Sequence, residues 1–399
     1  MIANAASLAG IRVLDLSRVL AGPFCAQTLG DLGAEVIKVE RPKSGDDTRG
    51  WGPPFQEGEA AYFMCANRNK QSITLDLKSA KGKEILGKLI ACSDVVIENF
   101  KVGTLASWGF DQAWFEEYAS RTICCSITGY GSVGEKAKLP GYDFLAQAES
   151  GLMSITGSID GQPVKYGVSI VDFCTGQYAA IAILSALQAR HDTGRGQHIE
   201  CNLYSTGLAM LINVGSSHLM SGKPARRLGN GHPNSVPYRE FDCSDGRIAL
   251  PVGNDNQFRN LARVLGKPEW ADDERFKTIA ARVKHREQVD SMLQAVFSTN
   301  TSASWLTSLQ AAGVACSQIN TVADALANPH TKACNMVVEV EHSTAGPVKL
   351  LGVPYKMSDT PAGITRPPPA LGEHTSEVLS SILGMEAVEI DSLKSDGVI

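Results

Sequence analysis

Ile11-Arg12-Val13-Leu14-Asp15-Leu16, then Ala21-Gly22-Pro23-Phe24-Cys25-Ala26-Gln27-Thr28-Leu29-Gly30-Asp31-Leu32, then Glu35-Val36-Ile37-Lys38-Val39-Glu40 decide the fold. The first and third runs read as short buried strands. The middle run opens at Ala21-Gly22-Pro23 and carries apolar residues at helical spacing through Leu32. Strand, helix, strand is a βαβ pattern, which predicts an α/β fold on a parallel sheet.

The turn after the first strand lacks G-x-G-x-x-G, so a dinucleotide site is not signalled there. Arg41, with Lys38 nearby, ends the second strand. Open α/β sheets place an adenosine ribose at that edge. A cation there suits a phosphorylated ribose, as in NADP or coenzyme A; it also reads as a solvated basic pair. Residues 43–72 are loop-rich and run through Asn67-Arg68-Asn69-Lys70-Gln71 into a strand at Ser72 to Leu77. Further strands are expected at Asp94 to Glu98 and Thr122 to Thr128, with an amphipathic helix at Lys78 to Leu89 and a short one at Trp114 to Ala119. Gly129-Tyr130-Gly131-Ser132-Val133-Gly134 matches G-x-G-x-x-G, but the charged loop with Pro140 that follows closes no βαβ unit. It reads as a flexible loop bordering a site, ahead of a helix from Tyr142-Asp143-Phe144 to Ser150.

Val164 to Val171 reads as an extended segment that delivers Asp172 to a helix rich in Ala, Ile and Leu. Asp172 stands where an N-cap would stand. It also reads as an activated carboxylate held at a helix N-terminus, competent as a nucleophile. His198 to Asn202 is expected as a strand and the residues to Leu219 as a mostly apolar helix. Composition then shifts: 222–239 is rich in Gly, Pro, Asn and Arg. From Glu240 a second, smaller α/β domain is expected to about Ala327, and 328–399 follows with strand-like 336–357 and a helix at 376–384.

The 399 residues carry a net charge of −5 and are 43% apolar, enough for two domains. Mild acidity without a basic block argues against nucleic acid. No window reads as the uncharged apolar stretch of about 20 residues that a bilayer span needs. Met1 to Gly10 reads as a short tail of a cytoplasmic protein. None of the ten cysteines forms C-x-x-C, so reduced, buried thiols are expected. The histidines show no metal-ligand spacing, and no metal is expected.

Together these segments resemble the class III coenzyme A-transferases, a family that includes the α-methylacyl-CoA racemases. The resemblance runs from Leu8 to the last helix. It is carried by Leu14 to Pro23, Val36 to Pro42, Gly45-Asp46-Asp47-Thr48-Arg49, Asn67 to Lys70, Glu98-Asn99-Phe100, Pro140 to Asp143, Thr193 to Gln197 and Leu371 to Thr375. It implies a large Rossmann-like domain made from both chain ends (1–221 and 328–399), a linker with a glycine-rich flap (222–239), an inserted small domain (240–327) and an interlocked homodimer. It implies Asp172 as nucleophile, with Gly229 and Gly231 in the flap over it. It also implies coenzyme A contacts at Val19, Ala21, Arg41, Leu75, Lys78, Asn99 and Phe100, with Tyr142 and Asp143 shaping the site. Ser107 and Pro140 depart from basic residues that some relatives place there; Lys101, Lys136 or Lys138 would supply those contacts instead.

The racemase branch needs a second acid/base group, and a His precedes the aspartate that matches Asp143. Tyr142 stands there here, a poor base near neutral pH. The expected activity is therefore transfer of CoA from an acyl-CoA, succinyl-CoA by resemblance, to a dicarboxylate. It would run through aspartyl anhydride and aspartyl-CoA thioester intermediates, with coenzyme A as substrate and no permanently bound cofactor. Arg18, Arg49 and Arg68 are candidates for the acceptor's second carboxylate, or are structural ion pairs. The competing readings are the racemase, a non-catalytic CoA-binding protein and a simple acyl-CoA hydrolase.

Overall fold

The computed structural model describes residues 6–399; the first half of the expected N-terminal tail, residues 1–5, lies outside them. The chain forms two compact units. The first comprises the described residues up to Ser150, Gly167–Met210 and Pro329–Ile399, and the second Gly151–Tyr166 and Leu211–Asn328. Residues 151–166 and 211–239 thus fall with the second unit, ahead of the expected start at 240. Arg227 shows why: its guanidinium donates to the carbonyls of Ser154 (3.2 Å) and Gly161 (2.9 Å).

The first unit is built on six strands: β1 (Arg12–Asp15), β2 (Glu35–Glu40), β3 (Lys70–Thr74), β4 (Val95–Glu98), β5 (Ile123–Thr128) and β6 (His198–Asn202). Their order is β3-β2-β1-β4-β5-β6, and every pairing is parallel. That order reverses beside β1, which makes the carboxyl end of β1 the switch point where such sheets bind ligands. β3 begins earlier than expected. Lys70 and Gln71, read as loop, pair with Val36 and Ile37, and the ladder stops at Thr74.

Helix α1 (Ala21–Asp31) follows β1, α2 (Ala80–Ala91) follows β3, and α3 (Asp143–Glu149) precedes the long α4 (Ile170–Thr193). One side of the sheet carries Leu14, Ile37, Ile73 and Val96, packed with Ile85 and Leu89 of α2 and with Val378, Leu379, Ile390 and Leu393 from the chain end. A second terminal helix, Ala387–Ser395, was not expected from the sequence.

Helix α4 crosses α1 at Gly176, where an added Cβ would lie 2.5 Å from the Ala21 carbonyl oxygen. With 24 residues and a mean hydropathy of 1.5, α4 is long and apolar enough to cross a membrane by length and composition. This corrects the reading that no stretch qualifies. Val171, Thr175, Gly176, Ala179 and Ile183 are nevertheless buried within the unit, as in a core helix.

The second unit has an antiparallel sheet of Ser317–Gln318, Arg247–Pro251 and Tyr238–Asp242. Its core gathers Val236, Phe241, Ile248, Phe258, Leu293 and Phe297. The predicted helix to Leu219 is two: Leu203–Ala209 in the first unit and Ile212–Ser221 in the second, parted where Ile212 takes a φ of 41°.

Candidate active site

Strand ends position the site. The residues after β3, β2, β1, β4 and β5 are Leu75, Arg41, Leu16 to Val19, Asn99 and Gly129, so one edge of the sheet collects most of the expected ligand positions.

Buried charge fixes that edge. Lys70 Nζ donates to Asp15 (2.8 Å), to the Pro23 carbonyl (2.8 Å) and to Asn67 (2.9 Å). Lys38 Nζ reaches Asp46 (2.9 Å) and the Ser17 carbonyl (2.9 Å). Asp46 accepts from the backbone N–H of Val19 and of Thr48. Glu40 binds Arg49 at 2.7 and 2.8 Å and accepts from Ser72. These groups lie almost wholly out of water, where an ion survives only when paired and hydrogen-bonded. Burial pushes the Asp46 carboxyl up, but the Lys38 charge together with hydrogen bonds from Thr48 and Lys38 drives it below the usual carboxylate range. Lys70, where burial dominates, falls to about 8. The network holds Val19 at a φ of 71°, a conformation that β-branched residues avoid.

Several expected contacts take other roles. Asn99 spends its amide on the backbone of Arg18, accepting from its N–H (2.9 Å) and donating to its carbonyl (2.7 Å). It shapes the first turn instead of offering that group to a ligand. The Leu75 side chain is 1% exposed within the core, so only its backbone faces the edge. Ala21 is buried at the head of α1, Phe100 packs edge-on to Trp108 at 5.1 Å, and Lys78 is exposed. Arg41 and Arg18 are half-exposed and share Asp47, one on each oxygen. Arg49 and Arg68 are structural. Arg49 lies between Glu40 and Glu59. Arg68 grips Asp31 at 2.6 and 2.9 Å and donates to the Leu351 carbonyl.

The Asp172 region differs from its reading. Ser169, not Asp172, is the N-cap of α4, and Asp172 is the third residue of the helix. The helix-end N–H groups are all accounted for without the Asp172 carboxylate. Ile170 donates to the Val168 carbonyl and Phe173 to that of Ser169. Val171 (2.8 Å) and Asp172 (3.2 Å) donate to Asp143 Oδ1, while Gln147 donates to Asp143 Oδ2 (2.6 Å). Asp143 is buried at the start of α3, and the neighbouring Tyr142 is 63% exposed.

Among the described residues none donates a hydrogen bond to the Asp172 carboxylate. Burial, with the Asp143 charge beside it, lifts its pKa from 3.8 to about 7. Tyr62 was missed by the sequence reading. Its hydroxyl comes within hydrogen-bonding reach of Ser169; burial first, and then the nearby charges of Asp172 and Asp143, raise its pKa. Trp51 stands edge-on to it at 5.1 Å. The paired aromatics around Gly52-Pro53-Pro54 were the available signal, but spacing alone gave them no partner.

The backbones of Gly129 and Gly141 touch: a Cβ on either would come within 2.4 Å of the other's Cα. Residues 129–141 are thus a closed loop, as expected, without a following helix. A cleft of about 750 Å³ along β5 and β6 is lined by Glu98, Leu105, Phe110, Ser126 and His198, and Asp172 is not part of it. In the second unit, Gly229 has a φ of 57°, and the Gly231 N–H donates to the Leu228 carbonyl (2.8 Å). Arg286 holds the carbonyls of His232 and Pro233.

Against this geometry, the sequence model of CoA-transferase family III matches residues 8–375. The succinyl-CoA:glutarate CoA-transferase of Homo sapiens is 41% identical over 396 residues, 99% of this chain and 90% of that protein. The succinate–glutarate CoA-transferase of Agrobacterium fabrum is 43% identical over 385 residues, 95% of this chain and 96% of that protein. Among solved structures, a CAIB/BAIF family protein from Brucella suis is 42% identical with a TM-score of 0.83, covering 95% of this chain and 100% of that one.

Proposed function

The chain belongs to CoA-transferase family III, and on that premise we propose that it moves coenzyme A from succinyl-CoA to a dicarboxylate such as glutarate, with Asp172 as the covalent carrier. The observation that carries this reading is a half-buried carboxylate, excluded from capping its own helix, with a pKa raised to about 7. The names of the two glutarate-linked relatives support the substrate pair.

Ionised Asp172 attacks the thioester carbonyl. The carbon–sulfur bond breaks, the thiolate leaves with the electron pair, and an acyl-aspartyl anhydride forms. The thiolate then attacks the Asp172 carbonyl carbon and expels succinate, leaving an aspartyl-CoA thioester. The acceptor carboxylate attacks that carbon and releases the thiolate. The thiolate takes the acceptor's acyl carbon and frees Asp172. A basic carboxylate suits the attack, and dividing the exchange into covalent steps is the gain. Tyr62, facing Asp172, is the donor for charge developing on oxygen. Val19, Ala21, Arg41 and the Phe100 ring form the coenzyme A path, with Lys78 and the Leu75 backbone beside it. The Arg18–Asp47–Arg41 cluster supplies exposed positive charge for phosphate or for the second carboxylate of the acceptor.

The loop at Gly229 and Gly231 acts as a flap that keeps water from the anhydride. The Gly231 N–H would have to leave the Leu228 carbonyl before serving an oxyanion. The second unit is read as a small domain inserted in the first, and the working enzyme as an interlocked homodimer. Exposed Tyr178 and Ile181 on α4, and Leu219 and Met220 on the Ile212–Ser221 helix, suit burial against a second copy. Ten unpaired thiols suit a reducing, cytoplasmic setting.

The test is intact and peptide mass spectrometry after incubation with succinyl-CoA. A CoA-sized adduct on the Asp172 peptide, discharged by glutarate and absent from Asp172→Ala, is expected. A folded protein that binds CoA without any adduct would sink the reading. Deuterium exchange at the α-carbon of a 2-methylacyl-CoA would then point to racemisation, and its absence to a binding protein.

A further inference from the structure

A helix begins with N–H groups that need acceptors, and a carboxylate three residues in is ordinarily drawn to them. In α4 that pull is cancelled from outside. Asp143 comes from a different helix, and its Oδ1 already accepts from both Val171 and Asp172. Ser169, the N-cap residue, makes no side-chain cap bond. We propose that Asp143 is a positioning residue, not a coenzyme A ligand: it caps α4 in place of Asp172, leaves the Asp172 carboxylate free, and sets its own charge beside it.

Asp143 is 8% exposed, with its second oxygen held by Gln147, so little of it is left for a substrate. The charged and titratable groups around Asp172 and Asp143 are few. Asp143 comes from α3 and Tyr62 from the Ala61–Met64 helix; Cys65 lies near Tyr62, and Cys174, on α4 itself, near Asp143. Between Ala21 and Leu29 the facing helix α1 carries no charged residue. Of these groups only Asp143 is a second carboxylate, so it is the one whose charge opposes ionisation of Asp172.

The inference rests on the Asp172 reading, so the experiment separates the two. Asp143→Asn keeps an acceptor oxygen for the same two N–H groups and removes the charge. Carbodiimide–amine labelling of Asp172, followed by peptide mass spectrometry across pH, reports its protonation without any turnover. In the wild type, labelling is expected to fall with a midpoint near pH 7. In Asp143→Asn the midpoint is expected to drop by a unit or more, with thermal stability close to wild type. CoA-adduct formation at pH 5.5, relative to each protein's own plateau, should rise about eightfold or more. Asp143→Ala should lose stability, and Asn should restore it. A wild-type midpoint near 4 would overturn the proposal without any variant, and so would an unmoved midpoint in folded Asp143→Asn. Shifted labelling with no CoA adduct in either protein would uphold the positioning role and sink the transferase reading.

Discussion

Gly176→Ala isolates the contact that registers α4 against the turn after β1. The new Cβ would lie 2.5 Å from the Ala21 carbonyl oxygen, and ordinary contact begins near 3.4 Å, so the helices must part by about 0.9 Å. The obstacle is backbone at the head of a helix and cannot swing aside as a side chain would. Overpacking costs about 1–3 kcal/mol, and a backbone clash belongs at the upper end. Replacing a mid-helix glycine returns about 1 kcal/mol. The net loss is about 2 kcal/mol, or a melting point lower by about 2 °C for a protein of this size. The catalytic loss should be larger. Asp172 sits one turn from Gly176 on the same helix, and Val19 lies two residues before Ala21. A misplacement of about 1 Å can cost about a hundredfold in rate. Melting by circular dichroism and kcat/KM with succinyl-CoA and glutarate test this, with Gly50→Ala, which meets nothing within 4 Å, as control. A Gly176→Ala enzyme with wild-type melting and kcat/KM would refute the close-crossing argument.

Two further outcomes follow from the same geometry. The rate of CoA-adduct formation should fall about tenfold per unit below a pH near 7, while stability moves the other way. A carboxyl at about 7 when folded and 3.8 when unfolded binds more protons in the native state between those values. Stability is therefore lost as pH rises from about 4 to 7. Asp172→Asn should melt higher than wild type at pH 8 and show no gain at pH 4; an unchanged melting point at pH 8 would count against the raised pKa. Asn99→Ala removes both bonds to the Arg18 backbone. It should weaken CoA binding about tenfold by calorimetry, about 1.4 kcal/mol, with secondary structure intact. Unaltered affinity would show that the first turn holds its shape without Asn99.

The parallel sheet was legible because β1, α1 and β2 each follow one periodicity, and a βαβ unit has one hand and one pairing. Asp172 was legible as a carboxylate at a helix head. Its actual position was not, because the competing cap comes from Asp143, 29 residues away in sequence. Periodicity carries no information about such a partner. The same limit applies to Asn67-Arg68-Asn69-Lys70, a polar run that reads as loop. Lys70 and its neighbours are tolerated in and beside a buried edge strand only because Asp15, Asp31 and the chain end at 363–366 supply the partners. Tyr62 stayed hidden for a related reason: a lone tyrosine acquires meaning only from what it faces.

The buried lattice of Asp15, Lys38, Asp46, Glu40, Arg49 and Lys70 also bears on redesign. Its members interlock the starts of several loops while contributing almost no surface. Acceptor preference can then be rewritten on residues that protrude from this mould, such as Arg18 or Trp51, without recasting the mould itself. A library that spares those six positions and varies the rim would search specificity and stability as nearly separate problems.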